Sequence, residues 1–396
     1  MKYDFDEVVD RSDSDSVKYD YRNLLFGKSD VLPFWVADMD FKTPDFIIEA
    51  LKKRLDHEIL GYTSLPEGLK EVIAGWLIRQ HQWEVQPDWI TINPGVVPTL
   101  AFCVLAYTKP GDQVIVQPPV YFPFFYVIEN NGRKIVHNPL QLQQGRYFMD
   151  FTDLKRKINS RTRMILLCNP HNPGGSVWKR EELSELAAIC RKHQILIISD
   201  EIHSDLMLFG NKHIPVASLD QEIAANTVTC LSSSKTFNTA GLAISYTVIP
   251  DQQLRYDLAN MLRDFHLSHG NISGLMALEA AYRHGKDWLR QIIQYLEDNI
   301  DWLEGFLKNR LPAIRMIKPE GTFLVWLDFS ELGLSQKDLN RFLIHQAGIG
   351  LSDGELFGPG GQGFQRINIA CPRSFLMKGM EQMEGAFNDR NNEKES

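Results

Sequence analysis

The chain has 396 residues, of which 44% are hydrophobic and 23% are charged, and its formal net charge is −8. This length and composition exclude a disordered or collagen-like chain and leave room for about two to four domains with a large core. The acidic balance and the absence of a Lys/Arg run disfavour a protein that binds nucleic acid.

The cysteines, the apolar runs and the first residues of the chain indicate the cellular compartment of the protein. The five cysteines are widely spaced and form no Cys-x-x-Cys pair, which disfavours a disulfide framework or a metal site, and most lie in apolar runs that predict burial. No stretch approaches about 18 uninterrupted apolar residues, so we expect no membrane span. The acidic start, MKYDFDEVVDRSD, does not resemble a signal peptide. We therefore predict a cytoplasmic protein.

In chain order, the first predicted feature is a polar segment at residues 9–20, interpreted as a loose arm. Helical periodicity follows from about residue 45 and again at about 68–80. From there apolar β-type runs alternate with helical stretches. The β-type runs are residues 113–117, 133–137, 163–169, 195–200, 227–232 and 243–249. This alternation predicts an α/β fold with a largely parallel sheet covered on both faces.

The pattern changes near residue 285. A long helical stretch at 288–311 leads to a β-type run at 321–329, then to a helix near 335–347 and a final β-type run at 365–372. We interpret this part as a smaller α+β domain. The predicted division is a large domain at 46–285 and a small domain made of residues 1–45 and 286–396.

Candidate chemical groups follow several of the apolar runs, where open α/β sheets place ligands. Lys235, flanked by serines in SSSKTFN, could form a covalent bond with an aldehyde cofactor. Asp200 ends a buried run and needs a cationic partner, such as a protonated pyridine nitrogen. Arg366 lies within an apolar run and would suit a substrate carboxylate. Each alone also fits an ordinary structural role: a solvated lysine, a helix cap, or an ion pair.

Three further motifs extend the pattern. In NPHNPGG, the rigid turn can present Asn172 to a ligand oxygen. In NPGVVP, Gly95 lets the backbone approach closely, and the start of the helix offers N–H groups to a phosphate. In PPVYF, Tyr121 could stack on a flat ring.

In this order, the motifs resemble those of the fold-type I pyridoxal-phosphate (PLP) enzymes, the class I/II aminotransferase superfamily, over about residues 30–390. FWVADMDF and the pair SDEIHSDL/SSSKTFN are similar to the branch of bacterial cystathionine β-lyases, or β-carbon–sulfur lyases. The resemblance implies a seven-stranded, mostly parallel sheet in the large domain. It also implies PLP as the cofactor, an amino acid as the substrate, and a homodimer with shared active sites.

The resemblance implies a role for each candidate residue. Lys235 would carry the cofactor and move the proton, with Asp200 and Tyr121 as its catalytic partners on the ring nitrogen and the ring face. Arg366 would bind the substrate carboxylate. The remaining implied cofactor contacts are Gly95, Val96, Val97, Asn172, His203, Ser232, Ser234 and, from the neighbouring subunit, Tyr62. The implied substrate contacts besides Arg366 are Asn172, Tyr121 and Ala37.

One position departs from the broad aminotransferase pattern. Ala243 lies eight residues after Lys235, where many of those enzymes have an arginine on the phosphate. The implied activity is elimination of L-cystathionine or related cysteine S-conjugates to a thiol (homocysteine from cystathionine), pyruvate and ammonia. The alternatives are an amino-acid aminotransferase on the same scaffold and a regulatory protein that contacts a transcription factor.

Overall fold

The computed structural model describes the backbone of residues 2–395 and the side chains of residues 2–390. The strands are β1 Leu32–Pro33, β2 Ile90–Asn93, β3 Gln113–Val116, β4 Lys134–His137, β5 Gln141–Gln143, β6 Arg146–Phe148, β7 Thr162–Cys168, β8 Leu196–Asp200, β9 Thr227–Leu231, β10 Ser245–Val248, β11 Arg315–Ile317, β12 Leu324–Asp328, β13 Ile349–Gly350, β14 Ser352–Asp353 and β15 Phe364–Asn368. The helices are α1 Val17–Asp20, α2 Arg22–Phe26, α3 Asp45–Leu55, α4 Leu69–His81, α5 Val96–Tyr107, α6 Pro123–Glu129, α7 Phe151–Lys157, α8 Arg180–Lys192, α9 Gln221–Ala225, α10 Gln252–Asp264, α11 Ile272–His284, α12 Lys286–Arg310, α13 Gln336–Arg341 and α14 Arg373–Glu395.

A seven-stranded sheet organises the first two thirds of the chain, in the order β2-β10-β9-β8-β7-β3-β4. Only β10 runs against its neighbours, so the predicted mostly parallel seven-stranded sheet is confirmed. Alternate residues of the central strands face opposite sides, and both sides are apolar. For example, Leu166 and Ile198 belong to the core cluster beneath α5, α6 and α10, whereas Ile165 and Ile197 pack toward α7 and α8.

A second, antiparallel sheet has the order β11-β12-β15-β14 and follows the long helix α12. The N-terminal part of the chain reaches it: β1 pairs in parallel with β13. Tyr3 and Phe5 also pack their rings edge-on against Trp288 of α12. These contacts support the division into 46–285 and 1–45 with 286–396, which stays a prediction.

The expectation of a loose arm at residues 9–20 is wrong. Lys18 is fully buried, and its Nζ lies 2.6 Å from Asp40 Oδ2. Arg11 binds Asp38 and Asp40, each at 2.7 Å. The charged residues of this segment belong to a partly buried ion-pair cluster. The sequence pattern does not show the cluster, because the carboxylate partners lie more than 20 residues further along the chain.

All five cysteines are buried, as their apolar surroundings in the sequence predict, and each is a free thiol. Among the described residues, the structure contains no helix with the length and apolarity needed to cross a membrane.

Candidate active site

The parallel strands bring the candidate residues to one edge of the large sheet. β2, β3, β7, β8 and β9 run in the same direction, so their carboxyl ends lie along the same edge. Asp200 is the last residue of β8, and Asn172 and Lys235 follow β7 and β9. The spacing of these residues in the sequence is wide, but the sheet order makes their strands neighbours.

Two adjoining cavities lie at this edge. The inner cavity has a volume of about 310 Å³. Of the candidate residues, it is lined by Ala37, Gly95, Val96, Val97, Tyr121, Asn172, Asp200, His203, Ser234 and Lys235. The outer cavity has a volume of about 630 Å³, shares Ala37, Tyr121 and Lys235 with the inner one, and adds Arg366.

Lys235 lies where the two cavities meet. Its Nζ donates a hydrogen bond to the carbonyl oxygen of Ala37 at 2.6 Å. Burial lowers the pKa of Lys235 to about 8. The positive charge of Arg366 also lowers this pKa, whereas the negative charges of Asp38 and Asp200 raise it. A lysine with such a pKa is an uncharged amine for part of the time near neutral pH, as a nucleophile or proton acceptor must be.

Asp200 is buried in the lining of the inner cavity and accepts a hydrogen bond from the backbone N–H of Ile202 at 3.1 Å. Among residues 2–390 it forms no ion pair. Burial raises its pKa to about 7, against the lowering effects of that hydrogen bond and of Lys235. The carboxyl group is therefore poised to bind a cation inside the cavity.

Arg366, on β15, is buried without a carboxylate partner among the described residues. Its Nη1 donates to Asn172 Oδ1 at 3.0 Å, and its Nη2 donates to the carbonyl of Trp35 at 2.9 Å and to Ser352 Oγ at 3.1 Å. Nε has no partner among the described residues. Burial lowers the pKa of Arg366 to about 10. Neutral acceptors orient this guanidinium and leave its charge available for an anion.

The start of α5 gives the inner cavity a candidate site for an anion. Gly95 has φ +118°, in the region that favours glycine, and precedes α5 directly. The N–H groups at the start of α5, Val96 and Val97, have no acceptor within the helix. Ser234 lines the same cavity, and Ser232 supports it without lining the cavity. Ser232 Oγ donates its proton to the carbonyl of Ile244 at 2.7 Å and lies within hydrogen-bond distance of Ser234 Oγ, at 2.9 Å.

Three other candidates differ in their placement. Tyr121 lines both cavities, and burial raises its pKa to about 12. His203 lines the inner cavity, where burial holds its pKa well below the usual range, so its ring is neutral. Tyr62 is fully exposed in a segment outside both cavities of the same subunit.

Sequence reasoning missed the residues that hold this site in place. Ser245 Oγ accepts from the N–H of Gly95 at 3.1 Å, and Trp35 and Ser352 orient Arg366. Asn238 fixes the segment at 39–41 through its side-chain amide, which bonds the backbone of Met39 and Phe41. No local signal marks these residues, because their partners are distant in sequence.

One edge of this sheet carries a buried lysine, a buried aspartate without an ion-pair partner among the described residues, and a candidate anion site. These features define a cofactor-binding α/β enzyme scaffold. The family model of class I and II aminotransferases matches residues 29–379, and the chain belongs to this family. The predicted superfamily and fold are thereby confirmed.

Three relatives place the chain more narrowly within the family. It is 46% identical over 384 residues to cystathionine beta-lyase PatB of Bacillus subtilis, covering 97% of this chain and 99% of the relative. Cystalysin from Treponema denticola, whose crystal structure contains pyridoxal 5'-phosphate, superposes with a TM-score of 0.95 at 38% identity, covering 98% of this chain and all of that one. The PLP-bound C-S lyase from Staphylococcus hominis has a TM-score of 0.91 and 32% identity, covering 98% of each chain.

Proposed function

We propose that this chain is a PLP-dependent C–S lyase that cleaves the Cβ–S bond of L-cystathionine or a related cysteine S-conjugate to give a thiol, pyruvate and ammonia. One observation carries the proposal: a lysine of lowered pKa, an unpaired buried carboxyl and an unpaired buried guanidinium line two joined cavities. The similarity to PatB and the Staphylococcus hominis lyase supports the lyase over an aminotransferase or a regulatory protein.

The inner cavity fits PLP by the chemistry of its lining. Asp200 offers a carboxyl that needs a cation, as the protonated pyridine nitrogen supplies. The start of α5, with Gly95, Val96 and Val97, and the Ser234 hydroxyl offer donors to the phosphate. Ser232 would orient Ser234 rather than contact the phosphate itself. Ala243 also lines this cavity, so the phosphate would be bound without the arginine found at that position in many aminotransferases.

The roles proposed for the other residues follow from their positions. Lys235 would hold the cofactor, then accept the Cα proton of the substrate at Nζ. Arg366 would bind the substrate carboxylate, and Asn172 would lie between that guanidinium and the cofactor. Tyr121 would cover the ring face, and His203 would pack against the cofactor as a neutral group.

When bound, PLP supplies an electron-withdrawing ring that weakens the bonds at Cα of the amino acid. The residues of the chain would direct the reaction to cleavage of the Cβ–S bond. Lys235 takes the Cα proton, the Cβ–S bond breaks with both electrons going to sulfur, and the thiolate takes up a proton. The three-carbon fragment that remains keeps the amino nitrogen of the substrate. Its reaction with water gives pyruvate and ammonia. Arg366 fixes the carboxylate and thereby the orientation of the substrate.

The outer cavity favours an apolar substituent on the substrate sulfur. Its wall beyond Arg366 is mostly apolar and comes from α1, α2 and the segment at 343–356. The apolar lining includes Val17, Leu25, Phe26, Trp35, Phe122, Leu343, Ile344, Leu351 and Leu356. Among the described residues, Lys235 and Arg366 are the only cations in its lining, and Asp353 is the only carboxylate. A leaving group with its own carboxylate would therefore find no third cation there.

The proposed assembly is a homodimer in which Tyr62 reaches the phosphate site of the partner. The exposed apolar side chains of Leu55, Ile59 and Leu60 lie close to Tyr62 in sequence and support an interface there. Mixing inactive Lys235→Ala and Tyr62→Ala proteins tests this idea, because one site of each mixed dimer would be intact. Recovery of activity supports shared sites, and no recovery at any mixing ratio refutes them.

A substrate panel tests the proposed reaction. The holoenzyme is incubated with L-cystathionine, L-cysteine and S-alkyl cysteines, without any keto acid, and pyruvate and free thiol are measured. We expect equal amounts of both products, and none from the Lys235→Ala variant. Turnover that appears only after a keto acid is added would indicate an aminotransferase instead, and no turnover under either condition would favour a regulatory role.

A further inference from the structure

A basic groove, distinct from both active-site cavities, is lined in part by the loop that follows β8. It has a volume of about 840 Å³, within the range of ligand pockets. Five cationic side chains line it: Arg79, Arg180, Lys212, Lys286 and Arg290. One carboxylate, Asp205, lines it as well. This concentration of positive charge occurs in a chain whose net charge is −8.

The five cations come from separate parts of the fold. Arg79 is in the last turn of α4, Arg180 begins α8, and Lys212 lies in the loop after β8. Lys286 and Arg290 lie in the first two turns of α12. Among residues 2–390, none of the five forms an ion pair, and Arg79 Nη2 donates to the carbonyl of Tyr282 at 3.3 Å. None of the five therefore has a described carboxylate within ion-pair distance.

The single carboxylate that lines the groove already has other hydrogen-bond partners. Trp76 Nε1 donates to both oxygens of Asp205, at 3.1 and 3.2 Å, and Thr236 Oγ1 donates to Oδ2 at 3.0 Å. His81 Nε2 lies 3.1 Å from Oδ1. Asp205 is buried, and among the described residues it forms no ion pair with any of the five cations. An anion that enters the groove meets the cations first.

Two of the cations occupy unfavourable positions in the absence of an anion. Arg180 and Lys286 are the first residues of helices of 13 and 25 residues, where the macrodipole disfavours a positive charge. Acidic side chains at Glu181, Glu182 and Asp287 follow them in the first turns but do not line the groove. A bound anion would interact favourably with both helix starts and both side chains.

We propose that this groove binds a small, multiply charged anion of the phosphate class. Five cations in one groove favour more than one negative charge, and the volume of about 840 Å³, within the range of ligand pockets, favours a small molecule over a protein segment. The proposal is independent of the reaction at Lys235, because the groove shares no lining residue with either active-site cavity.

Calorimetric titration of the PLP-loaded enzyme with inorganic pyrophosphate tests the proposal. The ionic strength is kept constant with chloride so that general screening does not change. The test variant is Lys212→Gln/Arg290→Gln, and the matched control is Arg163→Gln/Lys192→Gln, which removes two exposed charges outside the groove. We expect the test variant to bind about tenfold more weakly than the wild type, because two charge contacts are lost, and the control to bind as the wild type does.

Three results would overturn the proposal. These are no binding of pyrophosphate to the wild type, the same loss of affinity in both double variants, or unchanged affinity in Lys212→Gln/Arg290→Gln. The second would mean that the anion responds to the overall charge of the protein. Circular dichroism of each variant checks that it is folded, and an Arg180→Gln variant repeats the test if the double variant is not.

Discussion

Replacing Asp200 with asparagine should stabilise the cofactor-free protein. In the unfolded chain this carboxyl has its ordinary pKa of 3.8, and in the folded protein burial raises the pKa to about 7. Because the folded value is higher, the penalty for ionising Asp200 is absent below about pH 4, grows as the pH rises, and is complete above about pH 7. The shift corresponds to about 4 kcal/mol. Asparagine avoids that penalty and retains an oxygen for the N–H of Ile202.

Urea unfolding of the cofactor-free proteins measures the effect. Near pH 8, Asp200→Asn should raise the free energy of unfolding by up to about 4 kcal/mol, and near pH 5 by about 1–2 kcal/mol. Asp88→Asn, at an exposed position, serves as the control and should show no such pH-dependent gain. A variant that is less stable than the wild type near pH 8, or a difference that does not change with pH, would refute the argument from burial.

The same substitution should impair function. In the PLP-loaded enzyme the negative charge of Asp200 would be paired with the protonated pyridine nitrogen, whereas in the cofactor-free protein it has no such partner. We expect the lyase rate of Asp200→Asn to fall by about two to three orders of magnitude, equivalent to about 3–4 kcal/mol. Near-normal turnover would contradict the role proposed for this carboxyl.

Three further substitutions test other parts of the structure. Arg366→Gln should raise KM about 10- to 100-fold for every amino acid substrate, because a charged hydrogen-bond partner of the carboxylate is lost; an unchanged KM in steady-state kinetics would exclude Arg366 as the carboxylate site. Leu356→Ser should lower kcat/KM about fivefold for S-alkyl cysteines but not for cysteine, and equal losses for both would argue against the outer cavity as the leaving-group pocket. Asp40→Asn should destabilise the fold by about 3 kcal/mol in urea unfolding, because the buried Lys18 loses its nearest carboxylate and keeps only Asp38, at 3.7 Å; a change below about 1 kcal/mol would mean that the cluster is not coupled to folding.

The elements of the large sheet could be predicted because its strands are buried on both faces. Runs such as 163–169 and 195–200 are almost continuously apolar, and they agree closely with β7 and β8. The two-stranded hairpin β5–β6 was not predicted, because its first strand is exposed and polar. The sequence pattern did not predict that β10 is antiparallel to its neighbours, since an apolar run does not indicate the direction of the strand in the sheet.

The candidate residues were predictable where they end an apolar strand, follow one closely or interrupt one. Asp200 ends β8, Lys235 lies four residues after β9, and Arg366 interrupts an apolar run; all three line the two cavities. The residues that orient them were not predictable, because contacts such as Arg366 to Trp35 join positions 331 residues apart. The interpretation of residues 9–20 failed for the same reason, since charge in a sequence does not show whether an opposite charge folds onto it.

The most direct test of the central claim concerns the attachment of PLP to Lys235. The holoenzyme is reduced with borohydride and digested, and the peptides are analysed by mass spectrometry. We predict one pyridoxyl-phosphate label per chain, located on Lys235, together with loss of the visible absorbance band. A label on another lysine, or an enzyme that takes up no PLP and carries no label, would contradict the account.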